Sequence, residues 1–376
     1  MLYKIFFHQV IKNTMQNNMN TYKLFQIKLK ENFQKISNRE KKCSHPNCNK
    51  KAIKSHTVSK ASNLLKISSS KNIVYSIRNP IFNINNSNFI DFKCGIHKAS
   101  TYPLFCAKHD AELFEPFEKN NILKITQKNS FLLHYRILNK ALYLKEILYE
   151  AYIKAIQNLE DNEQFIKTED LQNYKNFIND LTEIANVIGI EPKMLIHQKE
   201  NLDKILMKSN YKNQSYYAII IDKIPEIQCS TTWIPTLDFD NNELFDLDNY
   251  NLHVPSISID ILTFKEKGII LFSWNRLNEF TYSEANIKFI KSLDNILNPE
   301  KPMAILHLLF SFSEDIFLSP SWFDSLEDNK KEILKGISRK AFENMSVLKD
   351  YKILENFVNW NVIDIKTNIS INNEFI

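Results

Sequence analysis

Four residues in two short runs constrain this chain more than anything else in it. The run "KKCSHPNCNKK", residues 41–51, carries Cys43 and Cys48 as a C-x4-C pair. The run "YPLFCAKHDAELF", residues 102–114, carries Cys106 and His109 as a C-x2-H pair. A tight turn between two such residues aims both side chains at one point. The two pairs together make a Cys3His set, the closed tetrahedral shell of a structural zinc ion. Competing ligands are present. His45 lies inside the first pair and could exchange with a cysteine, and Cys94 with His97 forms a second C-x2-H in "KCGIHKAS". Gly95 marks a turn beside a strand, so that second pair reads as structural. Cys229 has no partner nearby and reads as core.

Charge singles out the same end of the chain. Residues 1–110 carry nineteen Lys and Arg against four Asp and Glu, whereas the remaining 266 residues are net acidic, leaving +5 overall. A basic front on an acidic body is suited to a polyanion, nucleic acid above all, with DNA the favoured form. The acidic body is open to a protein partner.

Glycine excludes whole classes of function. The chain has only Gly95, Gly189, Gly268 and Gly336, none close to another. Dinucleotide fingerprints, phosphate-binding P-loops and the nucleophile elbow of Ser/His/Asp hydrolases all need clustered glycines. The start "MLYKIFFHQVIKN" is too short and interrupted for a signal-peptide core, and no run approaches the roughly 20 apolar residues of a membrane span. The expected setting is cytoplasmic, where paired cysteines are metal ligands more often than disulfides.

Periodicity divides the chain into an irregular leader (1–19), a basic module (20–120), a helical region (121–210) and a β-rich region (211–376). The module begins with a basic helix over 20–38 and contains a Ser/Asn-rich insert, 68–93, expected as a loop or irregular hairpin. A helix starts near His109, with Pro116 placed to kink or end it. One apolar stripe from Leu133 to Leu159 predicts a long helix over 130–159, followed by helices over 168–187 and 191–208. The runs "YYAIIIDKI", "EIQCSTTWI", "HVPSISIDILTF" and "GIILFSW" predict strands, and helices return at 283–297, 301–315 and 327–345. "FLSPSWFDSL" reads as a helix start docked by Trp322 and Phe323. The acidic run 238–251 has Glu243 where a calcium loop needs glycine, so it reads as a solvated loop. Tyr135, Arg136, Lys145 and Glu146 lie on the long helix, placed either to face the Cys/His module or, as the default reading, to form one ion-paired helix face.

The order of a cysteine pair, a short strand, a histidine, a linker and a second ligand pair followed at once by an acid resembles the zinc-containing branch of the HNH, or ββα-metal, endonuclease superfamily. The resemblance covers about residues 41–118. It implies an N-terminal zinc-stapled ββα-like module, and the periodicity of the remainder adds a helical middle and a β-rich C-terminal domain flanked by helices, an α+β architecture overall. It also implies that Cys43, Cys48, Cys106 and His109 hold the structural zinc, that His56 is the general base, and that Asp110 is the last ligand of a catalytic Mg2+ or Mn2+. Ser55 stands where the family has Asp, Glu or His. His109 stands where it has a second cysteine, and the linker from Cys48 to Cys106 is longer than usual. The run "KASTYPLFCAKHDAELFEPFE" is also similar to uncharacterised bacterial proteins associated with phage defence.

Two functional expectations follow. One is metal-dependent hydrolysis of DNA phosphodiesters. The other is a zinc-stapled module that binds nucleic acid or a protein partner without cutting, with Ser55 marking lost activity. The same residues have ordinary structural readings: Ser55 as the cap of a helix over "TVSKASNLLKI", His56 as a solvent-facing residue, and Asp110 as a first-turn acid favoured by the helix dipole.

Overall fold

The computed structural model describes residues 19–77, 92–118, 124–167, 170–244, 256–276, 280–313, 315–342 and 348–370. The described helices are α1 (Met19–Ser37), α2 (Ala107–Glu118), α3 (Gln127–Glu160), α4 (Leu171–Ile188), α5 (Ile190–Lys208), α6 (Phe280–Asn295), α7 (Lys301–Phe312), α8 (Pro320–Ser325) and α9 (Asp328–Phe342). The strands are β1 (Ile53–His56), β2 (Ile73–Ser76), β3 (Phe92–Gly95), β4 (Thr101–Phe105), β5 (Gln214–Ile221), β6 (Ile227–Trp233), β7 (Ile257–Phe264), β8 (Lys267–Asn275), β9 (Ile316–Leu318) and β10 (Val362–Thr367). The fold is mixed α+β, and no described helix is long and apolar enough to cross a membrane.

Helix α3 sets the frame. Thr126 opens it by accepting a hydrogen bond from the Asn129 amide at 3.2 Å, an N-cap of the ordinary kind. The sequence predicts one apolar stripe, but every residue from Ser130 to Lys140 is buried, so this half is enclosed on all sides. One side packs with α1, α4 and α5, with Phe25 edge-on to Tyr152 at 4.9 Å between centroids. The opposite side lies on the large sheet, where Leu133 meets Ala218, Ile269 and Leu271.

That sheet is antiparallel, eight strands in the order β10-β5-β8-β7-β6-β9-β2-β3, while β1 and β4 pair separately. Because side chains alternate between faces, the register separates two chemistries. Ser230, Asp260, Leu271 and Ala218 lie across from one another and share the α3 face with Ser258 and Ser273. The other face is apolar, with Ile219, Ile259, Ile270, Phe272 and Trp274 packed against α6, α7 and α9. Burying that face is the main stabilising contribution of the C-terminal half.

The long linker between the ligand pairs is woven into this sheet. Segment 68–93, expected as a loop or irregular hairpin within the basic module, supplies the paired strands β2 and β3, while its residues 78–91 lie outside the described residues. Three-residue β9 joins them to the body, pairing with β6 on one side and β2 on the other. Nearer to β1, a helical turn (Lys60–Leu64, continuing through Leu65–Ile67) buries Asn63 against β7. The Asn63 amide donates to the Ile261 carbonyl and accepts from the Thr263 amide, each at 3.1 Å. It therefore replaces a strand neighbour where β6 has ended its pairing with β7 at Asp260.

Other expectations meet mixed outcomes. Helix α2 continues past residue 116 to Glu118, so the proline does not end it there. Phe323 is buried in the C-terminal core and the Trp322 indole donates to the Phe357 carbonyl, as docking of α8 requires. The acidic run differs at its start. Asp238 is buried and folds its own loop, its Oδ1 accepting from the amides of Asp240 and Asn242 at 2.8 Å each. Residues 245–251 of that run, and leader residues 1–18, lie outside the described residues. Replacing Asn63 with Leu leaves a buried carbonyl and a buried amide unpaired, at a cost of about 2–4 kcal/mol. The expected outcome is a lower denaturant midpoint at unchanged m-value, measured by circular dichroism.

Candidate metal centre

The first ligand pair sits on a tight excursion of the chain. Lys42 and Lys51 form a bridge, Cys43 N–H donates to the Lys50 carbonyl at 2.8 Å, and Cys48 N–H to the His45 carbonyl at 3.2 Å. Asn47 takes the left-handed conformation, φ 58°, that closes such a turn and that Asn tolerates better than most residues. The second pair lies at a strand-to-helix junction. Cys106 follows β4 directly, and the Asp110 amide donates to its carbonyl at 2.9 Å as the first helical bond of α2. Ser44 N–H donates to the Leu104 carbonyl at 2.8 Å, which docks one turn on the other.

The four ligand atoms converge, all within 4.8 Å of one another, and this group could hold a metal ion. Cys48 Sγ lies 3.9 Å from Cys106 Sγ, while His109 Nδ1 lies 3.4 Å from Cys43 Sγ and 3.6 Å from Cys106 Sγ. A tetrahedral ion with ordinary metal–sulfur and metal–nitrogen bonds places two sulfurs about 3.8 Å apart and a sulfur about 3.6 Å from a nitrogen. The cluster already has those edges. A disulfide does not fit, because its sulfurs would be about 2.05 Å apart.

Electrostatics around the ligands differ by position. Burial pushes the Cys43 thiol up to about 11. Burial also opposes ionisation of Cys106, but the amides of His109 and Lys108 at the start of α2, together with the Cys43 and Cys48 thiols, outweigh it and lower that thiol. Burial and the neighbouring His45 lower the His109 imidazole, favouring the neutral, ligating form. A cation entering this set displaces thiol protons, so its affinity falls as the pH falls.

The competing ligands stand outside the cluster. His45 stacks flat on His109, ring centroids 3.7 Å apart, and its Nδ1 donates to the Pro46 carbonyl at 2.8 Å. Cys94 makes a weak bond to the Gly95 carbonyl, and His97 Nδ1 lies 3.3 Å from Lys60 Nζ. Cys229 is fully buried on β6.

Beside the cluster, β1 pairs with β4 in the register Ser55–Tyr102 and His56–Thr101. Alternation sends adjacent side chains to opposite sides. Ser55 Oγ donates to Asp110 Oδ1 at 2.8 Å, joining β1 to the first turn of α2. His56 turns instead to the segment after β3, where Nε2 bonds the Ile96 carbonyl at 2.8 Å. A carbonyl only accepts, so Nε2 carries the proton and Nδ1 is the basic atom of the neutral ring. Ser55 is not a helix cap: Ser59 fills that role, accepting from the Ser62 amide at 3.4 Å. Lys50, Lys54, Lys98 and Lys108 are exposed around the module.

Sequence reasoning treats Tyr135, Arg136, Lys145 and Glu146 as one ion-paired face, and the structure divides them. Tyr135 Oη donates to Asp203 at 2.6 Å and contacts the Ser44 carbonyl at 3.3 Å. Glu146 pairs with Lys41 at 2.8 Å and Lys145 with Glu191 at 3.0 Å. Arg136 is buried against the His56 backbone and Tyr135 reaches Ser44, so these two take the other placement and face the Cys/His module.

Comparison with protein-family models, with curated proteins and with solved structures finds no match to this chain. Replacing Cys106 with Ser removes a ligand shared by both halves of the cluster. Elemental analysis is expected to fall from one bound divalent ion per chain to none, with a stability loss of about 4 kcal/mol or more in thermal unfolding.

Proposed function

We propose that this chain is a metal-dependent endonuclease that hydrolyses DNA phosphodiester bonds, built around a structural zinc. Three thiolates and an imidazole in a closed shell suit zinc better than the hard cations, which prefer oxygen ligands. The observation that carries the reading is the arrangement beside that shell. Two antiparallel strands and a helix of one small, lysine-rich module carry a histidine of defined tautomer and a half-buried carboxylate, the carboxylate bonded to Ser55 and the histidine next to that serine on β1.

In this reading His56 Nδ1 takes a proton from the attacking water, while the Ile96 carbonyl holds the ring in the required tautomer. Asp110 is the acid that would hold a Mg2+ or Mn2+ ion, which when bound supplies charge stabilisation at the scissile phosphate. Ser55 orients Asp110 through its hydroxyl and contributes no charge of its own. Lys54, Lys98 and Lys108 are available to phosphates flanking the cut.

The Ser55–Asp110 bond favours a second reading, in which the same zinc-stapled module binds nucleic acid without cutting it. A hydroxyl is a weak substitute for an acidic ligand, and it already engages one oxygen of the carboxylate. The two readings separate in one experiment. With Mg2+ or Mn2+ the wild-type chain is expected to nick plasmid DNA. His56→Ala is expected to lose about 10²–10⁴-fold in rate at unchanged zinc content and melting temperature. Cleavage that survives in His56→Ala would remove His56 from the mechanism. Binding that weakens steeply with salt, without cuts under any divalent ion, would establish the second reading.

A further inference from the structure

Two buried cations sit one turn apart on α3, and each faces the small β1–β4 sheet on one side and the large sheet on the other. Arg136 and Lys140 are each only 3% exposed. Arg136 Nη1 donates to the His56 carbonyl at 3.4 Å, and its guanidinium lies 4.7 Å from the ring centroid of Phe114, on the helix that carries Asp110. Its charge also acts on Asp260, a fully buried residue of β7. Lys140 repeats the pattern. Its ammonium lies 5.8 Å from the ring centroid of Tyr102, the β4 partner of Ser55, and pairs with Asp315 at 2.8 Å, just before β9. It also donates to the Ser230 carbonyl on β6.

We propose that Arg136 and Lys140 are positioning residues, a two-rung clamp that fixes the β1–β4 strands and the start of α2 against the large sheet and so sets where His56 stands relative to Asp110. As a statement about catalysis this rests on the endonuclease reading; as a statement about what holds β1 it does not.

The physical case begins with cost. Taking a guanidinium and an ammonium out of water is expensive, and a buried ion pair often contributes no more stability than apolar residues of the same volume. Net stability therefore gives a weak reason to keep two such cations side by side. Directional bonding gives a better one. A guanidinium has donors in a fixed plane, so it can face a carbonyl, an aromatic ring and a carboxylate in only a few orientations. Apolar packing tolerates sliding; these contacts do not. Burial pushes Asp260 up to about 6, and the charges of Arg136 and Lys140, with the Ser230 hydroxyl, oppose that rise. Catalytic rates are sensitive to such placement, because an error of about 1 Å can cost about 100-fold.

The test uses the full-length, zinc-loaded chain and replaces each rung by apolar residues of similar volume: Arg136→Met with Asp260→Leu, and Lys140→Met with Asp315→Leu. Zinc stoichiometry and melting temperature are expected to stay at or above wild type. Amide exchange across residues 53–57 is expected to rise about tenfold or more. In the cleavage assay kcat is expected to fall about 10–100-fold with KM for DNA unchanged. Arg136→Lys, which keeps the charge but loses the fork, is expected to fall between wild type and the first double variant, and it serves as the readout if either double variant fails to fold. Wild-type exchange across residues 53–57 in any zinc-loaded, folded variant of this set would overturn the clamp. If the wild-type chain cuts no DNA, the endonuclease reading fails, while exchange at residues 53–57 still decides whether the clamp exists.

Discussion

Cys48 and Cys106 are 58 positions apart in sequence, yet their sulfurs stand 3.9 Å apart. Bringing them together closes a long loop, which is costly in chain entropy although the cost grows only slowly with length. Two features offset it. Metal binding at Cys43, Cys48, Cys106 and His109 would contribute its free energy to folding, since the four ligands do not converge in the unfolded chain. The loop itself is also far from slack. It supplies β1, the Asn63 turn, β2, β3 and β4, and these tie it into one sheet or the other.

Helix α3 is where these commitments meet. Its two sides face different chemistry: an aromatic and aliphatic cluster shared with α1, α4 and α5, and the serine- and aspartate-bearing face of the large sheet. The first contact is strong and undirected. The second is held by His134 with Ser258, Lys140 with Asp315, and the field of Arg136 on Asp260. Apolar burial accounts for why the helix is inside, and the polar layer for why it lies in one register.

Much of this was legible in the sequence. The two ligand pairs could be read because tight turns encode them locally, and β5 to β8 because β-branched residues cluster there between turns. Helix α3 could be placed, but not its enclosure. Its stripe shows which residues face the helical cluster, whereas His134, Arg136, Asn139 and Lys140 look like a solvated surface until the sheet covers them. Strand β9 was not legible, because a three-residue strand has no period, and β10 and the role of β2 and β3 were missed because their place in the sheet lies in distant neighbours. Asn63 gave no signal for the same reason. At the centre, spacing marked Ser55, His56 and Asp110, but only the pairing of β1 with β4 shows that Ser55 turns to Asp110 while His56 turns to Ile96.

Strand β9 is a narrow seam in the large sheet. Among the described residues, β9 pairs with β6 over three residues and with β2 over two, with one further backbone bond from the Ile77 amide to the Ile316 carbonyl at 3.4 Å. Parting there would let that hairpin swing away as a separate cooperative unit, far below the free energy of global unfolding, with β5, β8 and β7 still zipped together. Since Ile96 follows β3 directly, such a breath would also withdraw the carbonyl that fixes the His56 ring, and so change the proton-accepting character of that imidazole without disturbing Cys43, Cys48, Cys106 or His109.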